Sequence, residues 1–340
     1  MAKLFLMILL PLAFAACSSG EAPQNRADAK ESPANPLRQL AEGVQPGTLG
    51  AAILDLRTGQ MQGVNADQPM PMQSVFKLPL GIFVFHQAAE GALSLNEKIT
   101  LTPDDLSPLH SPITDRFDQK KEYTIEELVE VTVAQSDNAA ADLLMKRVGG
   151  PAALTRFFQE RGFRDFRVDR YEYELQPQST GLPPIEPRMT AQEYAGIRGQ
   201  VPLDRQRAAM RLYLADPRDR MSASTAVRML ADLDAGKLLS PDMTRKMMAI
   251  LKGTTSGPGR LKAGIPEGAT LYHKTGTGAT VEGVNGATND IGIIELADGR
   301  KLAVAAFVAG SQLPQEQREA VIAKVARIAT GALAAPAGVP

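Results

Sequence analysis

Pro71-Met72-Gln73-Ser74-Val75-Phe76-Lys77-Leu78-Pro79 sets a hydroxyl and an amine three residues apart at the head of an apolar run. If Ser74 opens a helix, Lys77 lies on the same face, within reach of the hydroxyl. A serine hydroxyl is a poor nucleophile at its free pKa and needs an adjacent base. A lysine is such a base only where burial or a second positive charge holds its own pKa down. Val75, Phe76, Leu78, Leu80, Ile82, Phe83, Val84 and Phe85 are apolar on nearly every side, the mark of a buried helix. Pro79 costs one helical hydrogen bond unless it falls in the first turn. The helix start aims free N–H groups at whatever charge develops beside Ser74. Read alone, the same residues describe an N-cap serine followed by a surface lysine.

Three further segments bear on that choice. Ser136-Asp137-Asn138 lies between amphipathic stretches at 125–134 and 139–148 and, alone, is a helix-capping cluster. Arg170-Tyr171-Glu172-Tyr173-Glu174-Leu175-Gln176 carries Glu172, a carboxylate that could orient and deprotonate a water. Alone, it is a solvated side chain. Lys274-Thr275-Gly276-Thr277-Gly278 follows a strand at 270–273, and its glycines leave room for a ligand against the strand edge. Alone, it is a Gly-rich hairpin with an exposed lysine.

Together and in this order, S-x-x-K, S-D-N, the glutamate segment and K-T-G resemble the serine β-lactamase and penicillin-binding-protein signature. The Arg-x-Glu-x-Glu-Leu-x pattern narrows the resemblance to class A serine β-lactamases, and residues 71–79 are similar to the extended-spectrum, PER-like subgroup. The resemblance implies roles. Ser74 is the nucleophile and Lys77 its base, and Lys274 supplies the charge that depresses Lys77. Ser136 relays a proton to the departing ring nitrogen, and Asn138 grips the substrate's side-chain amide, while Asp137 holds the loop. Glu172 activates the deacylating water. Gln176 stands where the family usually has Asn, so its extra methylene bears on the water's position. Lys274, Thr275 and Thr277 bind the β-lactam carboxylate beside Gly276, with the N–H groups of Ser74 and Thr277 as the oxyanion hole.

Arg260 resembles the position that gives the carboxylate a second positive charge, because Ile291 stands where other members carry an arginine on the next strand. His110 falls at the place of an aromatic gate. Arg170 and Asp219 match an ion pair that closes the glutamate's surface loop, but 49 residues separate them (219 − 170), far more than is usual. The extra stretch is Pro-rich at first and helix-like at 203–214, and its middle is expected to project outward. The activity implied is hydrolysis of the β-lactam amide of penicillins and cephalosporins through a Ser74 acyl-enzyme. The alternatives are a penicillin-sensitive peptidoglycan peptidase, or an inactive cell-wall-binding lipoprotein of the same fold.

The chain has 340 residues, 44% apolar and 22% charged, enough for a sizeable core. A net charge of −1 makes no electrostatic case for nucleic acid or an acidic surface. Three scattered histidines and one cysteine build no zinc site. No cofactor or metal is expected, the partners expected are small-molecule β-lactam substrates, and the protein is expected to be a monomer.

Lys3 precedes an apolar run at 4–16, too short to span a bilayer but suited to a secretory signal. Phe14-Ala15-Ala16-Cys17 resembles a lipoprotein signal with Cys17 lipidated, implying export to the periplasm and a lipid anchor. Residues 17–36 read as a flexible tether, 37–332 as the β-lactamase domain and 333–340 as a frayed tail. Within the domain, strands are expected at 49–55, 61–64, 270–273, 288–296 and 301–308, with a closing helix at 316–332. Early strands, a mostly helical middle (about 96–250) and late strands imply an α+β fold of β-lactamase/transpeptidase type. Its antiparallel sheet is flanked by helices, with an inserted all-helical lobe and the cleft between the lobes.

Overall fold

Strand β11 (Lys301–Ala309) shows how the sheet is made. Leu302, Val304, Ala306 and Val308 pack into one apolar cluster, while Ala303, Ala305, Phe307 and Ala309 pack into another. Successive side chains of a strand face opposite sides, so this unbroken apolar run belongs to a strand covered on both faces. The structure, a computed structural model, describes residues 36–332. The signal segment, Cys17, all but the last residue of the tether and the tail 333–340 lie outside the described residues. Pro36, read as the end of the tether, is the first residue of helix α1 (Pro36–Glu42).

The sheet is antiparallel and five-stranded, in the order β2 (Met61–Val64), β1 (Thr48–Asp55), β11, β10 (Thr288–Glu295), β7 (Thr270–Thr277). On one face, α1 and α12 (Gln315–Ala332) bury Leu37, Ile322 and Val325 against Leu49, Ile53 and Val304. The other face carries α10 (Ala223–Asp234), then the central helix α2 (Lys77–Ala89) with α4 (Ile125–Ala134), α5 (Asn138–Arg147), α6 (Pro151–Glu160) and α11 (Pro241–Lys252). Short pairs complete the fold: β3 (Met70–Pro71) with β6 (Arg220–Met221), β4 (Lys98–Thr100) with β5 (Glu122–Thr124), and β8 (Thr280–Val281) with β9 (Val284–Asn285). The one-turn α3 (Pro112–Asp115) precedes β5.

Ser74 does not open the α-helix. It sits in a 3-10 turn, Gln73–Phe76, and α2 starts at Lys77. Pro79 is therefore in the first turn, where no N–H is needed, which removes its conflict with a helix. The residues of α2 from Lys77 to Phe85 are all buried. Gly81 lets Val129, Val133 and Met247 close on the helix, since a Cβ there would stand 3.0 Å from two of them.

The stretch between Arg170 and Asp219 is not a plain loop. It contains α7 (Glu172–Gln178), α8 (Ala191–Gly199) and α9 (Leu203–Ala215). It does not project freely. Leu182, Tyr194 and Val201 form a small core against Leu109; Arg188 pairs with Asp104, and Arg207 with Glu282. An insertion that buries its own apolar residues against the body can afford such length.

Candidate active site

The strand bearing Lys274 runs further than its sequence suggests, since β7 continues through Lys274, Thr275 and Gly276 to Thr277. Its partner β10 sets Lys274 opposite Ile291 and Gly276 opposite Asn289. Asn289, fully buried, donates from Nδ2 to the carbonyls of Pro71 (2.8 Å) and Met72 (3.0 Å), tying the Ser74 turn to the sheet. A Cβ on Gly276 would stand 2.4 Å from Met72 O, so only glycine admits this approach. Gln73, with φ of 49°, and Ser136, with φ of 60°, hold left-handed backbone that is uncommon outside glycine. Such strain persists where surroundings over-determine it, and functional sites are where it collects.

A cleft of about 310 Å³ is lined by Ser74, Leu109, His110, Ser136, Asn138, Gln176, Ser256, Thr275 and Thr277. Buried behind that lining, Lys77 Nζ donates to Ser136 O (2.8 Å), to Asn138 Oδ1 and to Glu172 Oε1 (3.0 Å). Three acceptors use all three donors of an ammonium. Ser74 Oγ donates to the same Glu172 oxygen at 3.5 Å. Lys77 was expected to take the Ser74 proton; the contact formed by Ser74 is instead with Glu172. Both Lys77 and Glu172 side chains are 0% exposed, so the pair is screened from bulk water.

Glu172 starts α7. Its N–H and that of Tyr173 donate to the two carboxylate oxygens of Asp142 at 2.7 and 3.1 Å, which caps the helix from a neighbouring element. Burial, then the charge of Glu172, push Asp142 up to about 7. Gln176, one turn after Glu172, donates from Nε2 to Glu172 Oε2 (2.8 Å) and to Gln73 Oε1 (2.7 Å). Gln73 Nε2 in turn donates to Tyr213 Oη at 2.6 Å. The loop is closed by Asp219, whose carboxylate accepts from the N–H groups of Asp169 (2.7 Å) and Arg170 (3.2 Å) and from Arg170 Nε (2.6 Å).

Across the cleft Lys274 Nζ donates to Ser136 Oγ and to Thr275 O, both at 2.9 Å. Burial, then the like charge of Lys77, hold Lys274 well below the usual lysine range. Ser256, not foreseen, sits 2.6 Å from Thr275 Oγ1. Arg260 was expected to meet a substrate carboxylate directly. It does not line the cleft; it lies 4% exposed behind β7, donating to Gly276 O (3.1 Å), Asn289 O (2.9 Å) and Thr277 Oγ1 (2.7 Å), with Glu319 at 3.2 Å. It reaches the cleft through the Thr277 hydroxyl. His110 is at the rim, its Nε2 2.9 Å from Gln135 O. Asp137 caps α5 through Ala140 N–H (2.8 Å) and holds Ser111 and Ile113. Among the described residues, no group of three His, Cys, Asp or Glu side chains could hold a metal ion.

The four motifs thus meet at one place, and the β-lactamase enzyme family matches residues 33–333. The chain belongs to that family. It is 32% identical over 299 residues to the extended-spectrum β-lactamase PER-1 of Pseudomonas aeruginosa, covering 86% of each chain. To β-lactamase VEB-1 of the same organism it is 30% identical over 287 residues, 82% of this chain and 83% of that one. Among solved structures, a β-lactamase from Chitinophaga pinensis matches with a TM-score of 0.72 and 30% identity, covering 87% of this chain and 97% of that one. A class A β-lactamase described as the last common ancestor of Gram-negative bacteria matches at 0.71 and 32% identity, covering 87% and 97%. The family's serine hydrolase chemistry and its α+β, β-lactamase-type fold are therefore those of this chain.

Gln73, Tyr213, Asp142, Asn289 and Ser256 were not found by reading the sequence. Only Gln73 carried a signal, as the residue before the nucleophile within the 71–79 run.

Proposed function

We propose that the chain hydrolyses the β-lactam amide of penicillins and cephalosporins through an acyl-enzyme on Ser74, which Glu172 then deacylates. One observation carries this reading: a single buried carboxylate holds Ser74 and Lys77 on Oε1 and Gln176 on Oε2. In acylation, Ser74 Oγ attacks the lactam carbonyl and its proton passes to Glu172, directly or through one water. Lys77, donating to Glu172, Ser136 O and Asn138, orients this set and stabilises the charge on Glu172. The N–H groups of Ser74 and Thr277 take the developing oxyanion. Ser136 gives its proton to the ring nitrogen as that C–N bond breaks; Lys274, donating to Ser136 Oγ, leaves the hydroxyl hydrogen free for this transfer. Asn138 takes the side-chain amide, and Thr275 and Thr277 the carboxylate, with Arg260 supplying positive charge through Thr277. In deacylation, Glu172 removes a proton from a water held between its carboxylate and the Gln176 amide.

The test is turnover of a chromogenic cephalosporin and a penicillin, followed by intact-mass measurement. Ser74→Ala should form no adduct; Glu172→Ala should form one more slowly, with Lys77 left as the acylating base, and accumulate it because no base remains for the deacylating water. An adduct on Ser74→Ala, or parental turnover by Glu172→Ala, would overturn the assignment. Stoichiometric labelling of the parent without turnover would mark a penicillin-sensitive peptidase, and no reaction an inactive wall-binding protein.

We propose in addition that the protein is exported, anchored in the periplasm by lipid on Cys17, and monomeric. The signal-like run before Cys17 and the complete set of site residues on one chain support this. No helix of the described residues is long and apolar enough to cross a membrane. Loss of membrane fractionation in Cys17→Ala is the expected result, and a monomer mass in solution the other.

A further inference from the structure

Gln176 stands on α7, Gln73 at the nucleophile turn and Tyr213 on α9, yet the three side chains form one hydrogen-bonded line ending on Glu172. The direction of that line follows from its end. A carboxylate accepts only, so Gln176 must turn its Nε2 to Glu172 Oε2. The same Nε2 meets Gln73, so Gln73 must present Oε1 there and Nε2 at its far side. Tyr213 Oη is the group that receives that Nε2, at 2.6 Å. With both Nε2 hydrogens engaged, the Gln176 carbonyl is the acceptor left over on a residue that lines the cleft.

We infer that Tyr213, supplied by the insertion, is a positioning residue for deacylation: it holds Gln73 in the amide orientation that keeps Gln176 donating to Glu172 and accepting from the water. This rests on the reading of Glu172 as the base for that water. Three observations show that Tyr213 is built into place. It is 6% exposed, packed with Leu175, Met210 and Val281. Gly286 clears its ring, since a Cβ there would stand 3.0 Å from Tyr213 Cε1. Arg220 donates to the carbonyls of Tyr213 (3.4 Å) and Leu214 (2.6 Å), closing the end of α9. Burial also raises the phenol, which keeps it a neutral hydroxyl.

The line explains Gln176 as well. Its side chain bridges two partners, Gln73 and Glu172, and the methylene it has beyond Asn provides the reach. The long insertion then has a catalytic consequence, because the helix near its end carries the hydroxyl that terminates the line.

Tyr213→Phe keeps the ring and removes only the hydroxyl, leaving the buried Gln73 amide without its acceptor. Such an orphaned group readily rotates, and the loss of one such bond corresponds to about tenfold in rate. In the full chain, single-turnover and steady-state kinetics with a chromogenic cephalosporin should show deacylation slowed about tenfold and acylation changed less than about threefold. Acyl-enzyme should accumulate by mass. Gln73→Ala should have a similar effect, and the double variant should be little worse than either single one. Unchanged deacylation in Tyr213→Phe, equal slowing of both steps, or additive losses would overturn the role. Glu172→Gln is the control. If it too keeps parental turnover, the base assignment falls and this role falls with it; if it alone loses deacylation, only the role of Tyr213 falls.

Discussion

Asp219→Asn isolates the charge that closes the Glu172 loop. Asp219 is buried, with φ of 55°, a conformation Asn tolerates as well as Asp, so the backbone is not the variable. The Asn carbonyl can keep the N–H groups of Asp169 and Arg170. Its amide nitrogen must then face Arg170 Nε, where the carboxylate accepted at 2.6 Å. Burial raises the Asp219 carboxyl even with Arg170 against it, so the intact pair is itself costly to bury. What is costlier is Arg170, also buried, left without its partner. Breaking a buried pair costs about 3–5 kcal/mol. Arg170 Nη1 keeps Asp216 at 3.2 Å and Gln178 at 3.1 Å, which places the loss at the low end, about 3 kcal/mol.

Thermal unfolding should fall by on the order of 6 °C. Limited proteolysis should open the 177–215 segment first. Deacylation should slow, because Glu172 is two residues beyond Arg170. Replacing both partners with apolar residues (Arg170→Met with Asp219→Leu) should cost less than the two single losses summed. A shift under about 2 °C with parental deacylation would refute the claim that this pair holds the loop.

Gln176→Asn should lose one of its two bonds, slowing deacylation by about fivefold for about 1 kcal/mol while acylation is spared; faster deacylation would show that the longer side chain is a hindrance. Gly276→Ala forces a Cβ to within 2.4 Å of Met72 O, so β7 must move away from the Ser74 turn; a marked fall in kcat/KM is expected, and an unaltered value would mean that the strand yields freely. Asp142, with a folded pKa of about 7 against 3.8 unfolded, favours the fold most when protonated. Its contribution is fully present below about pH 3.8 and is lost as pH rises through about 7. The denaturant-unfolding stability of the parent minus that of Asp142→Asn should therefore decline between pH 4 and pH 8, and a flat difference would contradict the shift.

The chain's periodicities carried the five-stranded sheet and the helices near 77–89, 125–134, 138–147, 203–215 and 315–332, because alternation and apolar runs are local properties of a strand or helix. The four motifs were legible too, since the chemistry confines them to few residue types at short spacings: hydroxyl, amine, carboxylate and glycine. Folding decided the rest. Tyr213 and Gln73 are 140 positions apart, and Asn289 lies 218 from Pro71; no spacing rule links such residues, and amides and phenols are too common to mark themselves. Arg260 was found by its position but not its direction, because which way a buried guanidinium turns depends on the carbonyls and the Glu319 carboxylate that fold around it. Lys77 likewise was named from sequence, but its partner was set by Glu172, brought to within 3.0 Å from 95 residues away (172 − 77). Residue identity determined what chemistry was available; tertiary packing, through burial and the hydrogen bonds burial demands, decided which atom faces which.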